Sequence, residues 1–157
     1  MTFSGFYTEG RSVMVELADL GAAEGARRIR EGLCTSEELV SACLARIEER
    51  EPIVRAFVDL QPERAIESAR ERDRQGTNDR GVLHGVPVAI KEIYDVAGFE
   101  STWGSPVHAG RIPETDADVT KKLRNAGAVI IGTTVSTEYA AAAAGPTTNP
   151  SNPNRTP

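Results

Sequence analysis

Apolar positions recur along this chain with two different periods, and the change between them marks out the elements. In "CTSEELVSACLARIEERE", Leu39, Val40, Cys43, Leu44 and Ile47 fall on one side of a helix, the spacing of an amphipathic segment packed on a core. Thr35 or Ser36 can cap it, and Glu38, three residues after Thr35, fits a capping box. Pro52 is expected to end it, because proline lacks the amide hydrogen a helix interior needs. A shorter amphipathic helix is expected from Val15 to Ile29, with Gly32 just past its end. "VRAFVDL" (54–60) reads as a strand. "PERAIESARERDRQG" reads as a helix, with Pro62 near its first turn and Gly76 after its end.

Further on the period changes. "VPVAI" (86–90) and "AVIIGTT" (128–134) are rich in β-branched apolar residues without alternation, the pattern of strands covered on both faces. Between them lie a loop rich in Gly, Ser and Pro (98–114) and a helix, "DADVTKKLRNAG" (116–127). Asp116 is its expected N-cap and Gly127 its C-cap. This strand–helix–strand order predicts an α/β layer fold with a mainly parallel sheet. The tail "EYAAAAAGPTTNPSNPNRTP" carries five consecutive alanines and then four prolines in twelve residues. It reads as a rigid, extended loop with no element that closes a domain. The expected organisation is an irregular N-terminal arm over 1–13 and, over 14–157, the N-terminal portion of one domain that continues beyond this chain.

Composition narrows the partners. With 39% apolar and 26% charged residues over 157 positions, the chain is globular rather than disordered and long enough for a sizeable core. A net charge of −5 and the lack of a basic stripe argue against nucleic acid. No apolar run approaches the ~20 residues of a membrane helix. The first twenty residues show no secretory pattern. Cys34 and Cys43 are expected as reduced thiols, so a cytoplasmic location is the expectation.

Lys91 stands out because it directly follows the apolar run 86–90. The carboxyl end of a parallel strand is where open α/β sheets place ligand crevices. Desolvation there favours a neutral amine, which can take a proton from a serine hydroxyl. The competing reading is a surface lysine paired with Glu92 or Asp95. His84 is expected to order the turn before the strand. His108 has no orienting carboxylate nearby in sequence, and two distant histidines form no metal site. Thr134, Ser136 and Thr137 are expected to cap a following element.

Taken in order, "GVLHGVPVAIKEIYDVAGFESTWGSP", "DADVTKKLRNAGAVIIGTTVSTEYA" and "GPTTNPSNPNRTP" resemble the amidase signature family. The resemblance covers roughly residues 17–157. It implies an α/β amidase-signature fold: a mixed, mainly parallel sheet covered by helices on both sides, incomplete in this chain. It implies hydrolysis of amide, and sometimes ester or urethane-like, bonds through a Ser-cisSer-Lys triad, with no metal and no other cofactor. Lys91 matches the lysine, which deprotonates the bridging serine and later helps protonate the leaving amine. Backbone N–H groups of a Gly/Ser-rich loop form the oxyanion hole. That loop and both serines normally follow an "NP…RTP" segment, and this chain's last residue is Pro157. No serine upstream matches either role, so the isolated chain is expected to be inactive.

By the same resemblance, Tyr139, Ala140 and Ala141 match a segment that lines the substrate cavity. The alanine run signals either a roomy apolar pocket or a tightly packed helix start. Glu92 stands where the family usually has Asp, Thr133 where many members have Lys, and Val135 where many have Asn, which leaves the substrate class open. The implied partners are a small-molecule amide substrate and the remainder of the domain, as a second chain or a continuation. Its interface would exceed ~2,000 Å². A homodimer of the complete enzyme is compatible with the sequence. One alternative is a non-catalytic, partner-binding scaffold protein; another is an aggregation-prone truncation without function.

Overall fold

A computed structural model describes residues 16–76, 81–141 and 144–157. The expected arm over 1–13, the start of the expected helix at Val15, and Ala142 and Ala143 lie outside the described residues. In chain order the elements are α1 (Ala22–Arg30), α2 (Ser36–Val54), β1 (Phe57–Leu60), α3 (Pro62–Arg74), β2 (Pro87–Lys91), α4 (Asp118–Asn125) and β3 (Val129–Thr134). Short 3₁₀ turns occupy Pro106–His108 and Glu138–Ala140.

The sheet has three strands in the order β1-β3-β2. β2 runs parallel to β3, and β1 runs antiparallel to it, so the sheet is mixed. β3 is central and buried over its first five residues. Its alternation divides the core. Val129 and Ile131 pack on Val40 of α2 and on Ala65 and Ala69 of α3. Ile130 faces the opposite layer, with Ile90, Val96, Phe99 and Leu123 of α4. A third cluster, Leu17, Ile29, Cys34, Leu39 and Ala42, fastens α1 to the outer side of α2. Both cysteines are free, and burial pushes their thiols up.

Several sequence expectations change. Val15–Ile29 is not one helix: residues 16–18 form a single turn, and α1 begins after Gly21, whose backbone is extended. α2 runs past Pro52 to Val54 and stops where Arg55 turns left-handed (φ 52°). The amide that Pro52 lacks would have met the carbonyl of Glu48, an exposed residue, so its loss is tolerable at the last turn. β1 is correspondingly shorter than 54–60. Asp116 is not the N-cap of α4; Ala117 is, with no side-chain bond. The Asp116 carboxylate instead accepts from the Ala97 N–H (2.8 Å) and Arg124 Nε (2.7 Å), which ties the loop after β2 to α4. Gly127 does follow the helix end, at φ +92°, packed on the His84 backbone. β2 is not covered on both faces by the described residues: Ile90 is buried, but Ala89 and Lys91 are exposed.

The proline-rich tail is docked rather than simply extended. Thr148 donates from its N–H to the Val54 carbonyl and from its hydroxyl to that of Ile53, both at 2.9 Å. The Thr147 hydroxyl donates to the Arg55 carbonyl at 2.8 Å. These are carbonyls that a helix end leaves open, so the tail acts as the C-terminal cap of α2.

The other end of α2 is capped as the sequence predicts. Thr35 Oγ1 accepts from the Glu38 N–H, and the Glu38 carboxylate accepts from the Thr35 N–H at 2.8 Å. Asp73 of α3 adds acceptors for the Ser36 and Glu37 amides. Thr35→Ala should therefore cost about 1 kcal/mol. That lowers the melting temperature by roughly 2–4 °C for a domain of this size, read by circular dichroism. No loss would mean that Asp73 alone satisfies the helix start.

Candidate active site

Lys91 is the last residue of β2 and lies in register with Thr134, the last residue of β3. The parallel pair thus delivers it to the carboxyl edge of the sheet. Its side chain is exposed and enters no ion pair among the described residues. It opens onto a hollow of about 610 Å³ whose lining includes Ala56, Thr134, Ser136, Thr147, Thr156 and Pro157. The described residues leave the lysine open to solvent, so the desolvation expected from the sequence is not found among them.

Pairing with Glu92 or Asp95 does not occur, because both acids are committed elsewhere. Glu92 is buried, at 2% exposure. One carboxylate oxygen accepts from the Ser136 N–H (2.9 Å). The other accepts from the Thr102 N–H (3.0 Å) and the Thr102 hydroxyl. Its own N–H donates to the Thr134 carbonyl. Consecutive residues at a strand end point to opposite sides, so Lys91 faces the hollow while Glu92 faces the core. Glu92 thereby locks the loop from 98 to 105 against the segment that follows β3.

Asp95 receives both terminal nitrogens of Arg111, at 2.7 and 2.6 Å, and the Trp103 indole N–H at 3.1 Å. The Arg111 guanidinium, with help from the indole, holds the Asp95 carboxyl below its ordinary value. A depressed carboxylate contributes stability that is fully present above the unfolded-state value, roughly pH 3.9, and is lost as pH falls through the folded-state value. In melts from pH 6 to pH 2.5, Asp95→Asn should be less stable than wild type at the upper end. The gap should close below about pH 4; a gap independent of pH would show that the ion pair contributes nothing.

The Arg111 guanidinium also lies over the Trp103 ring, 4.3 Å from its centroid. The other side of this cluster meets the segment after β3. Trp103 and His108 make an edge contact (4.9 Å), His108 and Tyr139 another (6.0 Å), and His108 Nε2 lies 3.2 Å from the Tyr139 hydroxyl. Trp103, Tyr139 and Ala140 all have φ between 48° and 59°, a region that costs a non-glycine residue of order 1–3 kcal/mol. Gly104 (φ +70°) lets its backbone approach the Ser136 and Thr137 carbonyls, which any β-carbon would strike.

The other sequence candidates are placed as follows. Tyr139 and Ala140 belong to the 3₁₀ turn, and Ala141 follows it; all three are exposed. They are not the packed start of an α-helix, and the hollow at Lys91 is bounded by the flanking residues Val135, Thr137, Ala144 and Gly145. Thr137 precedes the turn without a side-chain cap bond, and the Ser136 hydroxyl donates to the Thr137 carbonyl. His84 is buried, with Nε2 3.0 Å from the Arg72 carbonyl, which ties the turn before β2 to α3. Sequence reasoning missed the double anchoring by Glu92 and the Asp95–Arg111–Trp103 cluster. The one available signal for the first is an acid, Glu92, set just past the apolar run 86–90.

The Amidase family profile matches residues 38–157. A glutamyl-tRNA(Gln) amidotransferase protein of Chloroflexus aurantiacus is 38% identical over 152 residues, 92% of this chain and 31% of that protein. An amidase of Pseudomonas putida is 36% identical, over 92% of this chain and 31% of its own. The structure of the native peptide amidase of Stenotrophomonas maltophilia superposes with a TM-score of 0.70 at 35% identity, covering 78% of this chain and 26% of that one. The chain thus spans about a third of the length of the curated relatives it matches. With the profile covering most of the sequence and relatives of more than 30% identity matching most of this chain, the chain belongs to the amidase signature family.

Proposed function

We propose that this chain is the lysine-bearing part of an amide hydrolase that works through serine. Thr156 and Pro157 line the same hollow as Lys91, and this observation carries the reading. A serine-bearing segment following the "NPNRTP" stretch would begin beside the lysine. Lys91 takes a proton from the bridging serine, which takes one from the nucleophilic serine. The nucleophile attacks the amide carbonyl, the C–N bond breaks, and the amine leaves with the returned proton. Water then hydrolyses the acyl-enzyme by the same relay. Tyr139, Ala140 and Ala141 lie between Thr137 and Ala144, which bound the hollow, and on this reading they extend the substrate wall beyond it.

The open surfaces support association with a remainder. β1 and β2 are the outer strands of the described sheet, and Ala89 lies uncovered on β2. Leu33, Ile53, Val82, Val107 and Ile112 are each at least 60% exposed. Against a panel of small amides, the 157-residue chain alone is expected to show no turnover. The chain joined to or mixed with its serine-bearing segment should hydrolyse them, and a fluorophosphonate should label serine only in that sample. Turnover by the chain alone would overturn the division of the triad.

A further inference from the structure

The tail that bounds the Lys91 hollow returns on itself, and its fixed point is the end of α2. Thr148 hangs on the Ile53 and Val54 carbonyls and Thr147 on the Arg55 carbonyl. Immediately after Thr148, the Asn149 N–H donates to the Arg155 carbonyl at 2.8 Å. Inside the loop so closed, the Asn149 carbonyl accepts from the Asn152 N–H (3.1 Å) and the Asn152 carbonyl from the Arg155 N–H (3.0 Å). The two asparagine side-chain oxygens take the Ser151 and Asn154 amides. A stretch of this length could span about 20 Å if extended, yet its two ends meet. Thr156 therefore leaves the loop beside the Thr147–Thr148 anchor, and Thr147, Thr156 and Pro157 line the hollow with Lys91. The anchor is also joined to the lysine strand: the Val135 N–H donates to the carbonyl of Ala56, next to Arg55, at 2.8 Å, and Thr134 pairs with Lys91 across the sheet. We infer that Thr147 and Thr148 are positioning residues. With the open carbonyls of α2 they hold the pinched loop, fix where the chain passes Lys91, and so set the distance between Lys91 and a serine-bearing segment that follows. This rests on the reading of Lys91 as the base of a serine relay.

The test uses the protein with its serine-bearing segment present, as wild type, as the pair Thr147→Val and Thr148→Val, and as the pair Thr147→Ser and Thr148→Ser. Valine keeps the shape and removes both hydroxyl bonds, whereas serine keeps the hydroxyl. Well below the melting temperature, the valine pair should lower kcat for a short amide by about 10²-fold, the effect of roughly 1 Å of misplacement at a reacting centre. KM should stay within about two-fold, and the serine pair should recover most of the rate. A lower melting temperature with kcat unchanged would mean that the two threonines only cap α2, and would overturn the proposal. A second readout needs no turnover: trypsin cleavage of the Arg155–Thr156 bond, followed by mass. It should be about 10-fold faster in the valine pair, because loss of the two hydroxyl bonds raises the share of molecules with the loop released. Cleavage at the wild-type rate would overturn the anchor and leave the hydrolase reading standing. Faster cleavage, with a wild type that hydrolyses no amide, would instead overturn the hydrolase reading, and the positioning role with it.

Discussion

Lys91→Ala, made with the serine-bearing segment present, is expected to lower kcat for amide hydrolysis by about 10²–10⁴-fold, the range a positioned general base contributes. The melting temperature should hardly move. Lys91 is exposed and unpaired among the described residues, and substitutions at such positions usually stay within about 0.5 kcal/mol. Lys91→Arg separates charge from proton transfer, because a guanidinium stays protonated and cannot act as a base. It should be nearly as inactive as the alanine variant while preserving the positive charge. Single-turnover measurement of acyl transfer, alongside thermal melts, distinguishes these effects. If Lys91→Arg retained most of the rate, the residue would act as an electrostatic anchor rather than a base.

Lys91 was legible because it breaks a local pattern. A cation after five apolar residues needs no knowledge of the rest of the fold to draw notice. The two core strands were legible for the same local reason, and so was the Thr35–Glu38 box, which spans one helical turn. The misreadings share the opposite property. Pro52 and Asp116 carry strong local signals, a helix stop and an N-cap, that tertiary contacts override. Thr147 and Thr148 complete the helix end near Pro52 from more than ninety residues away. Asp116 is drawn to Ala97, nineteen residues back. The lock at Glu92 joins partners ten and forty-four residues distant. Periodicity cannot rank such pairings, because any buried acid can accept from any amide that the fold brings near.

Glu92 carries the largest expected effect on stability. Its carboxylate satisfies two backbone amides and one hydroxyl in a site the solvent scarcely reaches. Removing an acceptor from a buried donor costs about 1–3 kcal/mol per group left unpaired. Glu92→Ala should therefore lose about 3–5 kcal/mol, a large share of the 5–15 kcal/mol that holds a typical domain together. Glu92→Gln keeps one acceptor oxygen but turns an NH₂ toward a donor, so it should fall between wild type and alanine. Glu92→Asp keeps the charge while drawing back by one methylene from two loops it must reach at once, and should also be intermediate. Urea unfolding of the four proteins gives the order. The same series bears on the site, because Ser136 and Thr102 belong to the two segments that flank it. Where a variant stays folded, slower hydrolysis at unchanged Lys91 would mark Glu92 as the residue that holds the substrate wall to the lysine strand. A loss of less than about 1 kcal/mol in Glu92→Ala would mean that water replaces the carboxylate at both amides, and that the lock is not what fixes the loops.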